Sequence, residues 1–284
     1  MIDETAEEIR EMQTHSSSVV AVKAAEALRV LLDREFATVE QYVRALERNS
    51  SALQRAQPSH ASLHNTQRTI VSRIENGEFE SLADAKAATE AGIDEIVESV
   101  ETAKHDAATN AVELLSDGAT VLTHDYSSTV VEAIELAAQE GHHLDVYVTE
   151  ARPRFLGRKT ARALASIDRV DTTLIVDSAA GHYLDECDRV VLGMSSIVDE
   201  TLYNRVGTFP IAATAAELAV PVSVVGAKEK LIEDGFAFEN EFRSPVEVMR
   251  EPAEGFSVAN PAYDATPTHL LENVVTDEGV EKLG

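Results

Sequence analysis

Cysteine is nearly missing from the 284 residues. Cys187 stands alone, so an intramolecular disulfide is excluded and a cysteine-based zinc cluster has nothing to build on. Tryptophan is absent and aromatic residues make up 5% of the chain, which leaves Ala, Val, Leu and Ile to form the core. Basic residues are few beside acidic ones, 24 against 50, for a net charge of -26. That balance opposes direct nucleic-acid binding, which needs a basic surface. It fits a halophilic cytoplasm, where salt screens the self-repulsion of a carboxylate-rich surface. No run of about 18 apolar residues occurs, so no membrane span is expected. The opening Met1-Ile2-Asp3-Glu4-Thr5 has none of the apolar character of a signal peptide. A cytoplasmic location follows as the expectation.

What is present is hydrophobic patterning of two kinds. Residues 1 to 117 read as helices. Val19, Val22, Ala25, Leu28 and Leu32 recur at helical spacing between Glu11 and Glu35. Thr38-Val39-Glu40-Gln41 and Ser81-Leu82-Ala83-Asp84 resemble capping boxes that start helices. Pro58 interrupts the pattern within the polar patch Gln57-Pro58-Ser59-His60, and Asn76-Gly77 closes a helix. From Asp117-Gly118 onward, short apolar runs alternate with helical segments. Strands are expected at Thr120–Thr123, Leu144–Thr149, Thr173–Val176, Arg189–Leu192 and Val222–Val225. Helices are expected between them, the last over Pro210–Ala219. Such alternation predicts right-handed crossovers and a parallel sheet covered on both faces. The fold class is therefore α/β, an N-terminal helical region (1–117) followed by a parallel-sheet domain (118–284). The proline-punctuated tail from Arg243 reads as irregular.

Polar groups gather where the strands end: Thr123-His124-Asp125-Tyr126-Ser127, Thr149-Glu150-Ala151-Arg152-Pro153, Asp177-Ser178-Ala179 and Asn204-Arg205-Val206-Gly207-Thr208. Ligands of open parallel sheets bind at such ends. Gly207 suits a tight turn, and the helix start that follows, with Thr208 and Pro210, would attract an anion such as phosphate or be simply a well-capped helix. His124 is either a ligand-facing group or a satisfied, half-buried histidine. Arg152 and Arg158 either contact a ligand or pair with carboxylates to fix loops. Asp177 is a helix cap or a pocket group. His142-His143 reads as solvent-facing with no third ligand at metal spacing, and His60 and His64 lack partners, so no metal is expected.

Several of these pieces occur together and in order: ATVLTHDYSSTV, VTEARPRFLGRKTARAL, TLIVDSAAGHYL, DRVVLGMSSI, LYNRVGTFPIA and NPAYDATPTHLL. In them the chain resembles the translation initiation factor 2B alpha/beta/delta family. That family holds regulatory subunits of the factor, ribose-1,5-bisphosphate isomerases and methylthioribose-1-phosphate isomerases. The resemblance implies a Rossmann-like second domain and a homodimer or higher homo-oligomer. It also implies ligand contacts at Arg152, Arg158, Asn204, Arg205 and Lys230, to which His124 is added as a candidate from its place at the strand end. The isomerases place a Cys where this chain has Asp125 and an Asp where it has Ser195. They carry Arg-Gly-Ala and Arg-Pro-Thr runs where it reads Thr14-His15-Ser16-Ser17-Ser18 and Gln57-Pro58-Ser59.

A carboxylate can act as a base but is a poor acid at neutral pH, and serine hardly ionises. Losing one general acid or base costs about 10² to 10⁴ in rate. The expectation is accordingly a non-catalytic regulatory or scaffold subunit. Its ligand would be a phosphorylated small molecule such as AMP, GMP or a pentose phosphate, it would need no cofactor, and a translation factor is a conceivable partner. The alternative is a divergent sugar-phosphate aldose–ketose isomerase acting on a substrate like ribose 1,5-bisphosphate.

Overall fold

The computed structural model describes residues 2–11, 16–232, 238–251 and 253–283. It divides into two compact units, Met1–Ala103 and Lys104–Gly284. Sequence patterning puts the division near residue 117, where the first strand-like run begins. The structure puts it earlier because Ala107, Ala108 and Ala111, at the end of a long helix, belong to the core of the second unit.

The first unit is built from α1 (Ile2–Arg10), α2 (Ser17–Ala27), α3 (Val39–Ala56), α4 (Ala61–Glu75) and most of α5 (Leu82–Ala111). Thr38 caps α3, its hydroxyl accepting from the Gln41 amide at 3.3 Å. Ser81 does the same for α5 through the Asp84 amide at 3.2 Å. Each cap satisfies a helix-end donor that has no intrahelical partner. The buried face of α2 is Val20, Ala24 and Ala25, continuing to Leu28 and Leu31, while Val19 is exposed. The face read from the sequence is off by one position at its start, because α2 is nearly all Ala, Val and Ser and offers little apolar contrast. Tyr42 is fully buried among these leucines and donates from its hydroxyl to Thr89 at 2.8 Å, which offsets the cost of burying a polar tip. Gln57, Ser59 and His60 are buried as well. Thr14 and His15 lie outside the described residues.

The second unit runs β1 (Thr120–Thr123), α6 (Ser128–Gln139), β2 (Leu144–Thr149), α7 (Gly157–Leu164), β3 (Val170–Ile175), α8 (Ala180–Tyr183), β4 (Arg189–Gly193), β5 (Ser196–Val198), β6 (Thr201–Arg205), α9 (Thr208–Glu217), β7 (Val222–Val225), β8 (Leu231–Ile232), β9 (Tyr263–Pro267), β10 (Asn273–Thr276) and β11 (Gly279–Lys282). The main sheet has the order β11-β10-β7-β4-β1-β2-β3. All its pairings are parallel except β10 with β11. Successive strand residues face opposite layers. Val121, Val146 and Val191 join α6 and the end of α5 in one core. Leu122, Val190 and Leu192 join α9 in the other.

The tail is not irregular throughout. Val274 and Val275 are buried in β10, which adds to β7, and β9 completes a second sheet of order β8-β5-β6-β9. Among the described residues no helix is long and apolar enough to cross a membrane.

Candidate functional site

The parallel strands change winding direction between β1 and β4, and a crevice outside the carboxyl ends at such a reversal is where ligands of this architecture bind. Asp125 follows β1, and Ser195 follows β4. The two positions flank the reversal.

Asp125 has a positive φ of 62°, a left-handed conformation that short polar side chains tolerate. It is 6% exposed, its carboxylate lies 3.4 Å from Arg205 Nε, and its carbonyl accepts from the Thr160 hydroxyl at 2.6 Å. His124 beside it is buried with both ring nitrogens engaged, Nδ1 with the Thr149 hydroxyl at 2.5 Å and Nε2 with the Val206 carbonyl at 2.9 Å. A carbonyl only accepts, so Nε2 carries the proton. Gly207 makes room for this ring. Its φ is 110°, and a Cβ there would meet His124 at 2.6 Å. His124 is therefore a satisfied pocket wall.

The loop after β2 is fixed by Asp177, whose carboxylate accepts from the amides of Ala151 and Arg152, both at 2.7 Å. Asp177 thus positions the loop. The Arg152–Pro153 peptide bond is cis. Arg158 is turned aside: it donates to Glu150 at 2.7 Å and stacks over Phe155, 3.8 Å from the ring centre. Arg152 also covers Phe155 but lines the pocket, together with Arg154. Sequence reading passed over Arg154, because the resemblance points to its neighbours. Gly157 starts α7 against the Thr149 carbonyl, where a Cβ would overlap the oxygen. Gly157→Ala is expected to cost about 3 kcal/mol, measured as a lower urea midpoint.

Arg205 and Asn204 come from β6. The Arg205 side chain is 15% exposed. Burial works against its charge, but Tyr263, Asp125 and Glu241 around it hold its pKa above the usual arginine value. Asn204 donates to the Thr208 hydroxyl at 3.1 Å and accepts from Ser195 Oγ at 3.4 Å. Ser195 is half-buried and serves as a hydrogen-bonding support for Asn204. The start of α9, read from the sequence as either an anion site or a well-capped helix, is already filled. The Asp264 carboxylate accepts from the amides of Gly207 at 2.7 Å and Phe209 at 3.0 Å. A built-in carboxylate meets the helix end, which decides between the two readings in favour of the capped helix.

Lys230 is 4% exposed and donates to the Met194 carbonyl at 3.2 Å, next to Ser195. Burial pushes its pKa down to about 8, with Glu229 opposing. Cys187 is unsuited to replace the missing thiol. It is buried, it donates to the Tyr183 carbonyl at 3.2 Å, and burial followed by the nearby Glu186 carboxylate pushes its pKa up to about 12.

The pocket encloses about 370 Å³ of empty space, its open mouth included. Its tail wall, also missed in the sequence, is Arg243, Glu247 and Asn260. Four guanidinium groups against two carboxylates suit an anion better than a metal. The reading of His143 without a third ligand needs correction. The β2–β3 register sets Asp145 opposite Asp171, and with His143 their ligand atoms lie within 4.8 Å of one another. All three residues are exposed, and we assign them no metal role.

A strand-end pocket lined by four arginines, on a sheet of this order, defines a protein of the α/β class with a positively charged crevice at its strand ends. Residues 13–282 match the Initiation factor 2 subunit family, and the chain belongs to it. A protein of Haloterrigena turkmenica named ribose 1,5-bisphosphate isomerase is 32% identical over 97% of this chain and 88% of its own length. Five further archaeal proteins of that name are 29–31% identical over 97–99% of the chain. The crystal structure of the Pyrococcus horikoshii OT3 translation initiation factor eIF-2B shares the fold, with a TM-score of 0.85 at 23% identity, covering 98% of this chain and 96% of that one. The tetrameric eIF2B-beta2-delta2 complex from C. thermophilum aligns at a TM-score of 0.72 and 21% identity, covering 99% and 90%.

These relatives overturn the expectation of a non-catalytic regulatory or scaffold subunit, since the isomerase name recurs over nearly the full chain. That expectation weighed the two replaced residues and took Asp125 as a base without a partner acid. It did not foresee the burial that pushes the Lys230 pKa down to about 8.

Proposed function

We propose that this protein is a sugar-phosphate isomerase that converts an aldose phosphate like ribose 1,5-bisphosphate into its ketose isomer. The observation that carries the reading is Asp125, a buried carboxylate braced by Arg205 at the strand reversal. The names of the archaeal relatives support it.

The conversion moves hydrogens without net gain or loss. The Asp125 carboxylate takes the proton from C2 and returns it to C1. The Lys230 ammonium gives a proton to the ring oxygen as the ring opens and recovers one from the C2 hydroxyl as that carbon becomes a carbonyl. A pKa of about 8 suits a group that must both give and take near neutrality. Asn204 and Arg205 would orient the sugar. The protein would work as a homodimer or larger assembly in a salt-rich cytoplasm. The exposed Phe242 and Val246 support an association surface, and the acidic composition supports the setting.

The test is direct. Purified protein in molar KCl, given ribose 1,5-bisphosphate, is expected to produce a ketose carbonyl signal by ¹³C NMR. In D₂O the product is expected to carry deuterium at C1 to the extent that the base exchanges with solvent. No conversion across the salt range would end this reading.

A further inference from the structure

Arg152, Arg154, Arg205 and Arg243 line the pocket, and the carboxylates among the same described lining residues are Asp125 and Glu247. In a chain of net charge -26, this is a local reversal of sign. Each guanidinium has a distinct setting. Arg205 is braced by Asp125 at 3.4 Å and stacks over Tyr263. Arg152 is exposed and covers Phe155. Arg243 holds Glu247 through Nη2 at 2.8 Å and Nε at 3.1 Å, and Asn260 donates to the same carboxylate at 3.1 Å. Arg154 is 21% exposed, and its Nε stands 3.9 Å from Glu247. Burial first and the charge of Arg243 next lower its pKa, against the pull of Glu247. A third negative group in the pocket would relieve this crowding of positive charge. A phosphoryl group matches the planar fork of a guanidinium.

We propose that Arg154, set against the Glu247–Arg243 pair, binds a phosphoryl group of the sugar-phosphate substrate. The identity of the sugar rests on the isomerase reading. The anion site rests on the pocket alone.

The experiment is isothermal titration of the full chain with inorganic phosphate, ribose 5-phosphate and AMP in separate arms. Arg154→Gln is expected to weaken phosphate and ribose 5-phosphate about 10- to 100-fold, the size of a lost charge-assisted contact. Arg154→Lys, which keeps the charge and loses the fork, should fall between Arg154→Gln and the parent protein. It also serves as the test if Arg154→Gln does not fold. Arg162→Gln, an exposed arginine outside the pocket, should bind as the parent does. Equal affinity of folded Arg154→Gln or Arg154→Lys and the parent for both phosphate and ribose 5-phosphate overturns the proposal. So does a loss confined to AMP. Phosphate binding that depends on Arg154 in a protein without turnover would end the isomerase reading and leave this site standing.

Discussion

Asp125→Asn is expected to lower isomerase turnover by about 10² to 10⁴-fold, the range for removing one general base, and to lower the melting temperature as well, because the largely buried Arg205 loses its paired charge. Asparagine has the same shape and also accepts the left-handed backbone that Asp125 adopts at φ 62°, so the strand-end turn should survive. What disappears is the ability to hold a proton and the charge that braces Arg205 at 3.4 Å. Steady-state kinetics on ribose 1,5-bisphosphate would report the loss mainly in kcat. Circular dichroism would show the fold retained. Turnover equal to that of the parent protein would remove Asp125 from the chemistry.

Lys230→Met should act on stability as strongly as on activity. In the folded protein the Lys230 pKa is pushed down to about 8 by burial, against an ordinary value of 10.5. Between these two values the unfolded chain holds the proton and the folded chain does not, so stability rises with pH across that window. The cost of keeping a buried ammonium is fully present below about pH 8 and is gone above about pH 10.5. By the conversion of about 1.36 kcal/mol for each tenfold change, it amounts to about 3 kcal/mol at most. Methionine keeps the apolar stem and drops the charge. The variant should therefore exceed the parent in urea unfolding at pH 7, and the gap should close toward pH 10. Taking the difference between the two proteins cancels the titration of the acidic surface they share. A gap that does not change with pH would show that the ammonium is not buried at a cost. Turnover in the same variant is expected to vanish.

The parts of this molecule that were legible in its sequence are those fixed by neighbours along the chain. The strands at Thr120, Leu144, Arg189 and Val222 are short apolar runs bounded by turns, and the caps at Thr38 and Ser81 follow from residue type and spacing. The parts that stayed hidden depend on pairing at a distance. β9 and β10 sit among prolines and polar residues and become strands only because β6 and β7 offer them edges. The site divides the same way. Asp125, Asn204 and Arg205 stand at strand ends and could be named in advance. Arg243 and Glu247 belong to a tail without periodicity, and Arg154 lines the pocket while Arg158, which the resemblance favours, is held by Glu150 and Phe155. Asp264 illustrates the limit well. Nothing near it in sequence says that it will close the start of α9, since that contact exists only because Asp264 lies opposite Asn204 in the β6–β9 ladder.

That ladder also imposes an order of events during synthesis. β6 gains its second neighbour only when residues 263–267 have been made, so Arg205 has no finished wall to stand in while the nascent chain is shorter. A ribosome-bound fragment ending before that point would carry the carboxylate after β1 and lack its assembled surroundings. Competence for the ligand would wait until residues 263–267 have been made and paired.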